Sequence, residues 1–408
     1  MDWDDNNEQN QFRSEVKTLI KKLPDRYQEM SKGRWTRSYT QWARDRISDD
    51  EQSKKDAENW FDAFAQKSWV APHWPKEYGG GGLSTMEQFI LKQELATANA
   101  PGVGSNVGLG MLGPALIVHG TDEQKSAFLP PILKGDVVWC QGFSEPGAGS
   151  DLASLQTRAV KDGDEYVING QKTWTTHGHY ADWILLLTRT DVNAPKHRGI
   201  SFLLADIKSE GVTVNPIYDM SWGHEVNEDF FEDVRIPATQ IVGEENRGWY
   251  VGMTLLDNER SNIEGAIRQQ KIINRMLNYI HNEDGKLKSR INEYDGIRQE
   301  VASAFVDANV MFNFSLRIIS MQSEGQVPNH EASVSKLFGS EASRRLDNLG
   351  TKVFGLYSNL WDENDGRAPL QSEFTKGWVA GVPGTIAGGS SEIQRNVIAT
   401  RGLGLPRG

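Results

Sequence analysis

Cysteine is almost missing from this chain of 408 residues, in which Cys140 is the only one. A single thiol excludes an internal disulfide and cannot by itself supply a cysteine-based zinc site. Low cysteine usage fits a reducing compartment, so we expect a cytoplasmic protein. No clustering of histidine, cysteine and acidic residues at metal-ligand spacing is visible, and we expect no metal site.

Basic residues are also fewer than acidic residues. Lysine and arginine together number 44 against 55 acidic residues, which gives a formal net charge of -11. Nucleic-acid binding needs a basic surface, so we do not expect it. Neither a basic leader followed by an apolar stretch nor a run of about 18 apolar residues is present, so we expect no signal peptide and no insertion into a membrane. Hydrophobic residues make up 38% of the chain, enough for a core in two or three domains.

Residue patterning divides the chain into three segments. Residues 1–135 are predicted to form an N-terminal helical domain, because apolar residues such as Phe12, Val16 and Leu19 recur at helical spacing. Further helical patterns cover 56–70 and 86–98. Thr121 is a predicted N-cap, with Gln124 in capping-box spacing.

Residues 136–240 are predicted to form a central β domain. Short β-prone runs alternate with turn signals, which include the hairpin-type dipeptides Asp162-Gly163 and Asn169-Gly170. The spacing favours a small antiparallel barrel or sandwich. The predicted strands are Val137–Cys140, Glu165–Asn169, Trp183–Thr188, Ile200–Ala205, Val212–Ile217 and Asp229–Val234.

Residues 241–408 are predicted to form a C-terminal helical bundle, which makes the fold class α+β. The expected helices cover 249–280, 296–322, 330–354 and 391–403. The polar stretch from His281 to Tyr294 is expected to be an exposed loop.

Two segments of the β domain are candidates for a ligand site. The first, from Gln141 to Asp151, contains three glycines and a proline, and such a rigid turn lets a flat or anionic ligand approach the backbone. The second, from Asn169 to Thr176, ends in Trp174 and hydroxyl side chains that can stack on and hydrogen-bond a polar ring system. Taken separately, each is more typical of an ordinary turn or strand than of a ligand site.

Together these two segments resemble the acyl-CoA dehydrogenase family, in which they contact the flavin. Further matches to the family occur in the same order along the chain: Pro72 to Gly80, His119 to Lys125 and Ser391 to Asn396. The chain looks most similar to bacterial members that act on bulky or dicarboxylic acyl-CoAs. The resemblance implies three domains of helical, β and helical structure, and FAD as cofactor.

The resemblance also assigns roles to individual residues. Phe143 and Ser144 match positions that contact the isoalloxazine, and Gln141 is a further cofactor-binding residue of the same segment. Trp174 matches a tryptophan that covers the flavin edge, and Thr176 matches a threonine near flavin N5. The remaining matches are Ser150 on the pantetheine arm of CoA, and Ser390, Ser391 and Glu392 near the adenine half of FAD.

The reaction of this family needs a base that takes the α-proton of the thioester while hydride leaves the β carbon. Many members carry this glutamate in the loop before the last helix, where this chain has Gly388. The family has a second solution, a helical glutamate followed by arginine, and Glu259 with Arg260 matches it. Leu255, Leu256 and Ile263 would place Glu259 in an apolar stripe that raises its pKa. A structural ion pair with Arg260 or another cation is the alternative.

The resemblance further implies that Arg260 steers the base or the substrate and that Asp257 contacts the substrate. One family feature is missing: no Arg-x-x-Phe-Gly motif is present to reach the FAD diphosphate of a neighbouring subunit. A homotetramer, a homodimer and a heterotetramer therefore all stay open.

The resemblance implies an acyl-CoA substrate and an electron-transfer flavoprotein as electron acceptor. Two alternatives keep the same fold. One is an oxidase that uses oxygen, and the other is one subunit of a heteromeric dehydrogenase that completes the flavin site of its partner.

Overall fold

A computed structural model describes residues 5–32, 38–255 and 262–406. The chain packs as two compact units, one made of residues 1–36, 84–100 and 260–408 and the other of residues 37–83 and 101–259. Both units draw on the N-terminal helical segment. The division of the sequence into three domains therefore stays a prediction.

Helices occupy most of the described chain. Thr121 caps its helix, and both hydrogen bonds of the predicted capping box are present. None of the helices in the described ranges combines the length and apolar character of a membrane span. In chain order they are α1 (Asn7–Ile20), α2 (Asp25–Lys32), α3 (Ser38–Asp45), α4 (Glu51–Ala65), α5 (Thr85–Ala98), α6 (Gly113–His119), α7 (Asp122–Lys134), α8 (Gly248–Leu255), α9 (Ile263–His281), α10 (Glu283–Lys288), α11 (Asp295–Ser323), α12 (His330–Phe354), α13 (Glu373–Ala380) and α14 (Ser391–Val397).

The C-terminal pattern differs from the prediction at two places. The stretch 249–280 is not one helix: α8 and α9 are separate, and Asn262 before α9 has a left-handed φ of 50° that an α-helix does not contain. The expected loop between His281 and Tyr294 contains α10, in which Gly285 and Lys288 are buried. Lys288 forms an i,i+4 ion pair with Asp284 at 2.8 Å, which contributes to the stability of this short helix.

The first unit is a helical bundle held by α9, α11 and α12. Apolar residues at helical spacing on these helices meet in one cluster that α13 closes with Phe374. The buried members are Ile273, Met276, Ile280, Ile297, Val301, Ala308, Leu346, Leu349, Val353, Phe354 and Phe374. The helical bundle expected for this part of the sequence is confirmed.

The second unit contains the sheet. Its strands are β1 (Trp139–Gly142), β2 (Arg158–Asp162), β3 (Glu165–Thr176), β4 (Trp183–Arg189), β5 (Ile200–Asp206), β6 (Val212–Tyr218) and β7 (His224–Pro237). They follow the order β1-β4-β2-β3-β7-β6, and β5 pairs with β4. Most pairs are antiparallel as expected, but β1 runs parallel to β4, and β2 meets β4 in a parallel bridge. The sequence did not predict β2, since Ala159 is its only buried residue.

A close contact between α12 and α13 gives a test of the bundle. A Cβ added at Gly350 would lie 2.0 Å from Cδ1 of Phe374. We therefore expect Gly350→Ala to lower the free energy of unfolding by about 1–3 kcal/mol through overpacking. Denaturant unfolding of the purified protein measures this change.

Gly296→Ala is the matched control, because Gly296 also lies in a helix but has open space around its Cβ position. It should leave stability unchanged or raise it by up to about 1 kcal/mol. Equal stability of the two variants would contradict the packing described for α12 and α13.

Candidate active site

The first predicted ligand segment starts where β1 ends. Glu145 and Ala148 exchange two backbone hydrogen bonds, at 3.1 and 3.0 Å, and so close a tight turn. Gly147 and Gly149 are exposed and have no atoms within 4 Å of their Cβ positions. A planar or anionic group can therefore reach the backbone of this turn, which also presents the exposed Ser150.

The second segment is the end of β3, and its backbone is irregular at Trp174. The register against β7 shifts between Thr173 and Thr175, as in a β-bulge. Trp174 has a left-handed φ of 63° and is 61% exposed. A bulky residue in this conformation is an outlier, and such strain is found mainly at functional sites. The bulge turns the indole away from the sheet and leaves it free to cover a ligand.

Direct bonds join the two segments. The backbone N–H of Thr173 donates to the carbonyl of Ser144 at 2.9 Å. Nζ of Lys172 donates to Glu145 at 2.7 Å and to the carbonyl of Phe143 at 3.1 Å. The structure thus brings Ser144 next to the strand that carries Trp174. The ring of Phe143 itself is buried and packs edge-to-face against the ring of Phe202, with 6.3 Å between the two ring centroids.

This arrangement fits the cofactor that the sequence implies. Trp174 offers an exposed aromatic face, and the hydroxyls of Ser144 and Thr176 are candidate partners for the polar edge of a ring. Gln141, in β1, is only partly buried. The residues that would hold an isoalloxazine therefore lie where the two segments are hydrogen-bonded to each other.

The predicted adenine-binding residues lie in the other unit. Ser390 caps α14 by accepting a hydrogen bond from the N–H of Ile393, Ser391 is buried, and Glu392 is exposed. Hydrogen bonds from the α14 backbone and from Ser390 lower the pKa of Glu392, so this carboxylate stays ionised.

The loop before these residues carries Gly388 and Gly389, with left-handed φ angles of 63° and 86°. Nζ of Lys336 donates to the carbonyl of Gly389 at 2.6 Å, and Nε2 of Gln394 donates to that of Gly388 at 3.0 Å. The Cβ position of Gly388, where many family members carry the base, faces open space.

The predicted catalytic and substrate residues Asp257, Glu259 and Arg260 lie outside the described residues. The apolar stripe expected around Glu259 requires a continuous helix from Leu255 to Ile263. Asn262 is not helical, so Ile263 does not follow Glu259 on one continuous helix, and the burial of Glu259 stays a prediction. The described part of α8 does pack near the first segment: the Cβ position of Gly252 lies 3.9 Å from Cζ of Phe143.

The sequence analysis missed buried polar residues behind the second segment. Lys172, Thr175, Asn227 and Asp229 are all fully buried on the inner face of β3 and β7. Nδ2 of Asn227 donates to the carbonyl of Thr175 at 2.9 Å. A charged residue at an inward-facing position of a strand indicates a buried polar site. This signal cannot be recognised from the sequence, because the facing depends on the strand register.

Two histidines next to the second segment have structural partners. His177 lies 3.1 Å from Glu225, and the ring of His179 stacks on His224 at 3.9 Å. Burial, together with the neighbouring His224, lowers the pKa of His179 to about 4, so this ring is neutral at pH 7.

Family models cover nearly the whole chain. The acyl-CoA dehydrogenase N-terminal domain matches residues 6–136, the middle domain matches 140–234 and the C-terminal domain matches 246–403. This chain belongs to the acyl-CoA dehydrogenase family. It is thus an oxidoreductase that acts on CH–CH groups, in a family of flavoproteins of acyl-CoA catabolism.

Individual relatives agree with the family assignment. The chain is 37% identical to acyl-CoA dehydrogenase IpdE1 of Mycobacterium tuberculosis, over 85% of this chain and 88% of that protein. It is similar to the structure of the Tcur3481-Tcur3483 steroid ACAD, at 30% identity and a TM-score of 0.84, with both chains covered completely. The ChsE4-ChsE5 complex from Mycobacterium tuberculosis matches at 32% identity and a TM-score of 0.81, again over both complete chains.

Asp229 gives a pH-dependent prediction. Burial raises its pKa to about 6, with a further contribution from Glu228, and the nearby Thr175 hydroxyl offsets only part of the increase. A carboxyl whose pKa is higher in the folded protein costs stability as the pH rises through that range. A shift of this size corresponds to about 3 kcal/mol above pH 7 and falls to nothing only well below pH 4.

We therefore expect Asp229→Asn to raise the free energy of unfolding by up to about 3 kcal/mol at pH 7.5 and by about half as much at pH 5. Urea unfolding at both pH values measures the difference. Glu232→Gln is the control, because Glu232 is an exposed acid on the same strand. An equal effect of Asp229→Asn at the two pH values would contradict a buried, titrating carboxyl.

Proposed function

We propose that this acyl-CoA dehydrogenase uses FAD to convert a bulky acyl-CoA thioester to the 2-enoyl-CoA and passes the electrons to an electron-transfer flavoprotein. The observation that carries the proposal is the joint between the two β segments, where Ser144 is bonded to the strand that presents Trp174. Bound FAD supplies the acceptor that takes hydride at its N5 position. The choice of electron acceptor rests on the family resemblance.

The residues of the chain bind and orient the cofactor and the substrate. Trp174 covers the flavin edge with its exposed indole, and Ser144 and Thr176 hydrogen-bond its polar atoms. Gln141 and Phe143 line the same segment, and Ser150 holds the pantetheine arm. Ser390, Ser391 and Glu392 serve the adenine half of the cofactor.

Proton removal is assigned to Glu259. A thioester α-hydrogen is weakly acidic, so a positioned carboxylate has to take it as hydride leaves the β carbon. Gly388 supports this assignment, because the loop that carries the base in many relatives offers no carboxylate at that position. Arg260 steers the base or the substrate, and Asp257 contacts the substrate.

A steroid-type acyl group is the substrate class that we propose. One support is the full-length similarity to a protein described as a steroid ACAD. Another is the open space at the Cβ position of Gly388, since a glycine there leaves room that a glutamate side chain would fill.

A second, non-identical acyl-CoA dehydrogenase chain is proposed to complete the flavin site. The Arg-x-x-Phe-Gly motif is missing, and the basic residues of this region are neutralised within their own chain. Arg290 lies 3.6 Å from Glu293, Arg298 lies 3.1 Å from Asp295, and Lys352 lies 2.8 Å from Glu300. A diphosphate would have to displace these carboxylates. Both similar structures named above carry the names of two proteins.

Replacement of the proposed base distinguishes FAD binding from removal of the α-proton. Glu259→Gln should retain FAD but slow flavin bleaching by acyl-CoA by about 10²–10⁴-fold, because the α-proton has no acceptor. Anaerobic stopped-flow absorption measures the rate. Glu264→Gln, at an exposed position of α9, is the control and should behave like wild type. Unchanged bleaching in Glu259→Gln would remove Glu259 from the mechanism.

Expression alone and with a partner tests the heteromeric assembly. The chain produced alone should carry less than one FAD per chain, since its own diphosphate contacts are incomplete. Co-expression with an acyl-CoA dehydrogenase chain that has the Arg-x-x-Phe-Gly motif should give a stable complex with more bound FAD. Native mass spectrometry and flavin absorption measure both quantities. A homo-oligomer with one FAD per chain and full activity would contradict this proposal.

A further inference from the structure

Lys172 has an unusual position for a lysine. It lies in β3 with no exposed surface, and its ammonium group is 2.7 Å from Oε1 of Glu145 and 3.1 Å from the carbonyl oxygen of Phe143. Both partners belong to the first predicted flavin segment, 27 and 29 residues earlier in the chain. One buried side chain therefore bridges the two segments.

Glu145 is held from a second side as well. Its carboxylate accepts hydrogen bonds from the backbone N–H groups of Gln156 at 2.6 Å and Thr157 at 2.9 Å. Burial alone would raise the pKa of Glu145, but Lys172 and these donors outweigh it and hold the pKa below its usual value. Glu145 is therefore ionised, and its negative charge requires the lysine.

Stability does not explain such a pair. Taking two ions out of water is costly, and replacing a buried ion pair by apolar residues is often neutral or favourable. Burial lowers the pKa of Lys172 to about 8, although Glu145 works in the opposite direction, which reflects that cost. A buried ion pair of this kind is best attested as a device that fixes the register of the elements it joins.

Here the pair fixes the register of the first predicted flavin segment against β3. Lys172 fixes the carbonyl of Phe143, and the next residue of β3, Thr173, donates its N–H to the carbonyl of Ser144 at 2.9 Å. Trp174 follows directly, in its left-handed conformation. A shift of the first segment along β3 would break all of these bonds together and would move Ser144 relative to the indole.

We propose that Lys172 and Glu145 form a positioning pair that sets the distance between Ser144 and Trp174 and thereby shapes the flavin-binding surface. The pair does not touch substrate and takes no proton from it. Its role rests on the proposed function, because the surface that it shapes is the proposed flavin site.

Three variants test the pair by FAD affinity and by the visible circular dichroism of the bound flavin. Lys172→Met leaves Glu145 as a buried, unpaired charge and should lower the melting temperature. The double variant Lys172→Met/Glu145→Gln removes both charges, so it should recover most of the melting temperature. Its FAD dissociation constant should still be raised by about 10–100-fold, the range known for partners that orient metal ligands.

Glu145→Asp keeps the charge but shortens the bridge by one methylene group. It should keep most of the melting temperature and still change the visible circular dichroism. Arg235→Met is the control, since Arg235 forms exposed ion pairs with Asp162 and Glu165 in the same sheet. It should leave FAD affinity and spectrum as in wild type.

A merely structural pair predicts that FAD affinity follows the melting temperature. Wild-type affinity and circular dichroism in both the double variant and Glu145→Asp would overturn the positioning role and leave the proposed function standing. A wild-type chain that binds no FAD, alone or with a partner chain, would overturn the proposed function and the positioning pair with it.

Discussion

The ammonium group of Lys172 cannot stay charged and buried in the sheet without a negative partner, and this constraint ties β3 to the turn that follows β1. Glu145 supplies the charge, and the N–H groups of Gln156 and Thr157 satisfy its remaining capacity. The glycine turn after Glu145 and the bulge at Trp174 therefore keep a fixed relation, although 26 residues lie between Glu145 and Lys172 in the chain. Exposed atoms of both segments then form one surface.

Much of the fold can be predicted from the sequence, because local patterns decide it. Helical spacing locates α1, α5, α11 and α12, the Thr121 cap locates the start of α7, and β-prone runs locate most strands. The errors occur where long-range packing overrides the local pattern. β2 has a polar sequence and exists only because it pairs with β3, and α10 forms in a charged stretch whose Lys288 is buried. The break at Asn262 carries no Gly or Pro signal.

The candidate site is predictable only in part. Motifs identify the two predicted flavin segments, and the structure brings these segments together through Thr173 and Ser144. The residues that hold them, Lys172 and Glu145, look like ordinary members of those motifs until the strand register shows that they face inward and meet. Asp229 is hidden for the same reason. The roles of Asp257, Glu259 and Arg260 rest on sequence alone.

The central claim is that this family member binds FAD and uses it to oxidise an acyl-CoA. The most direct test is a visible absorption spectrum of the purified chain, alone or with its partner chain, before and after anaerobic addition of a panel of acyl-CoAs. The account predicts an oxidised flavin spectrum that bleaches most rapidly with a bulky, steroid-type thioester. A protein that binds FAD under neither condition, or a flavin that no acyl-CoA reduces, would contradict it.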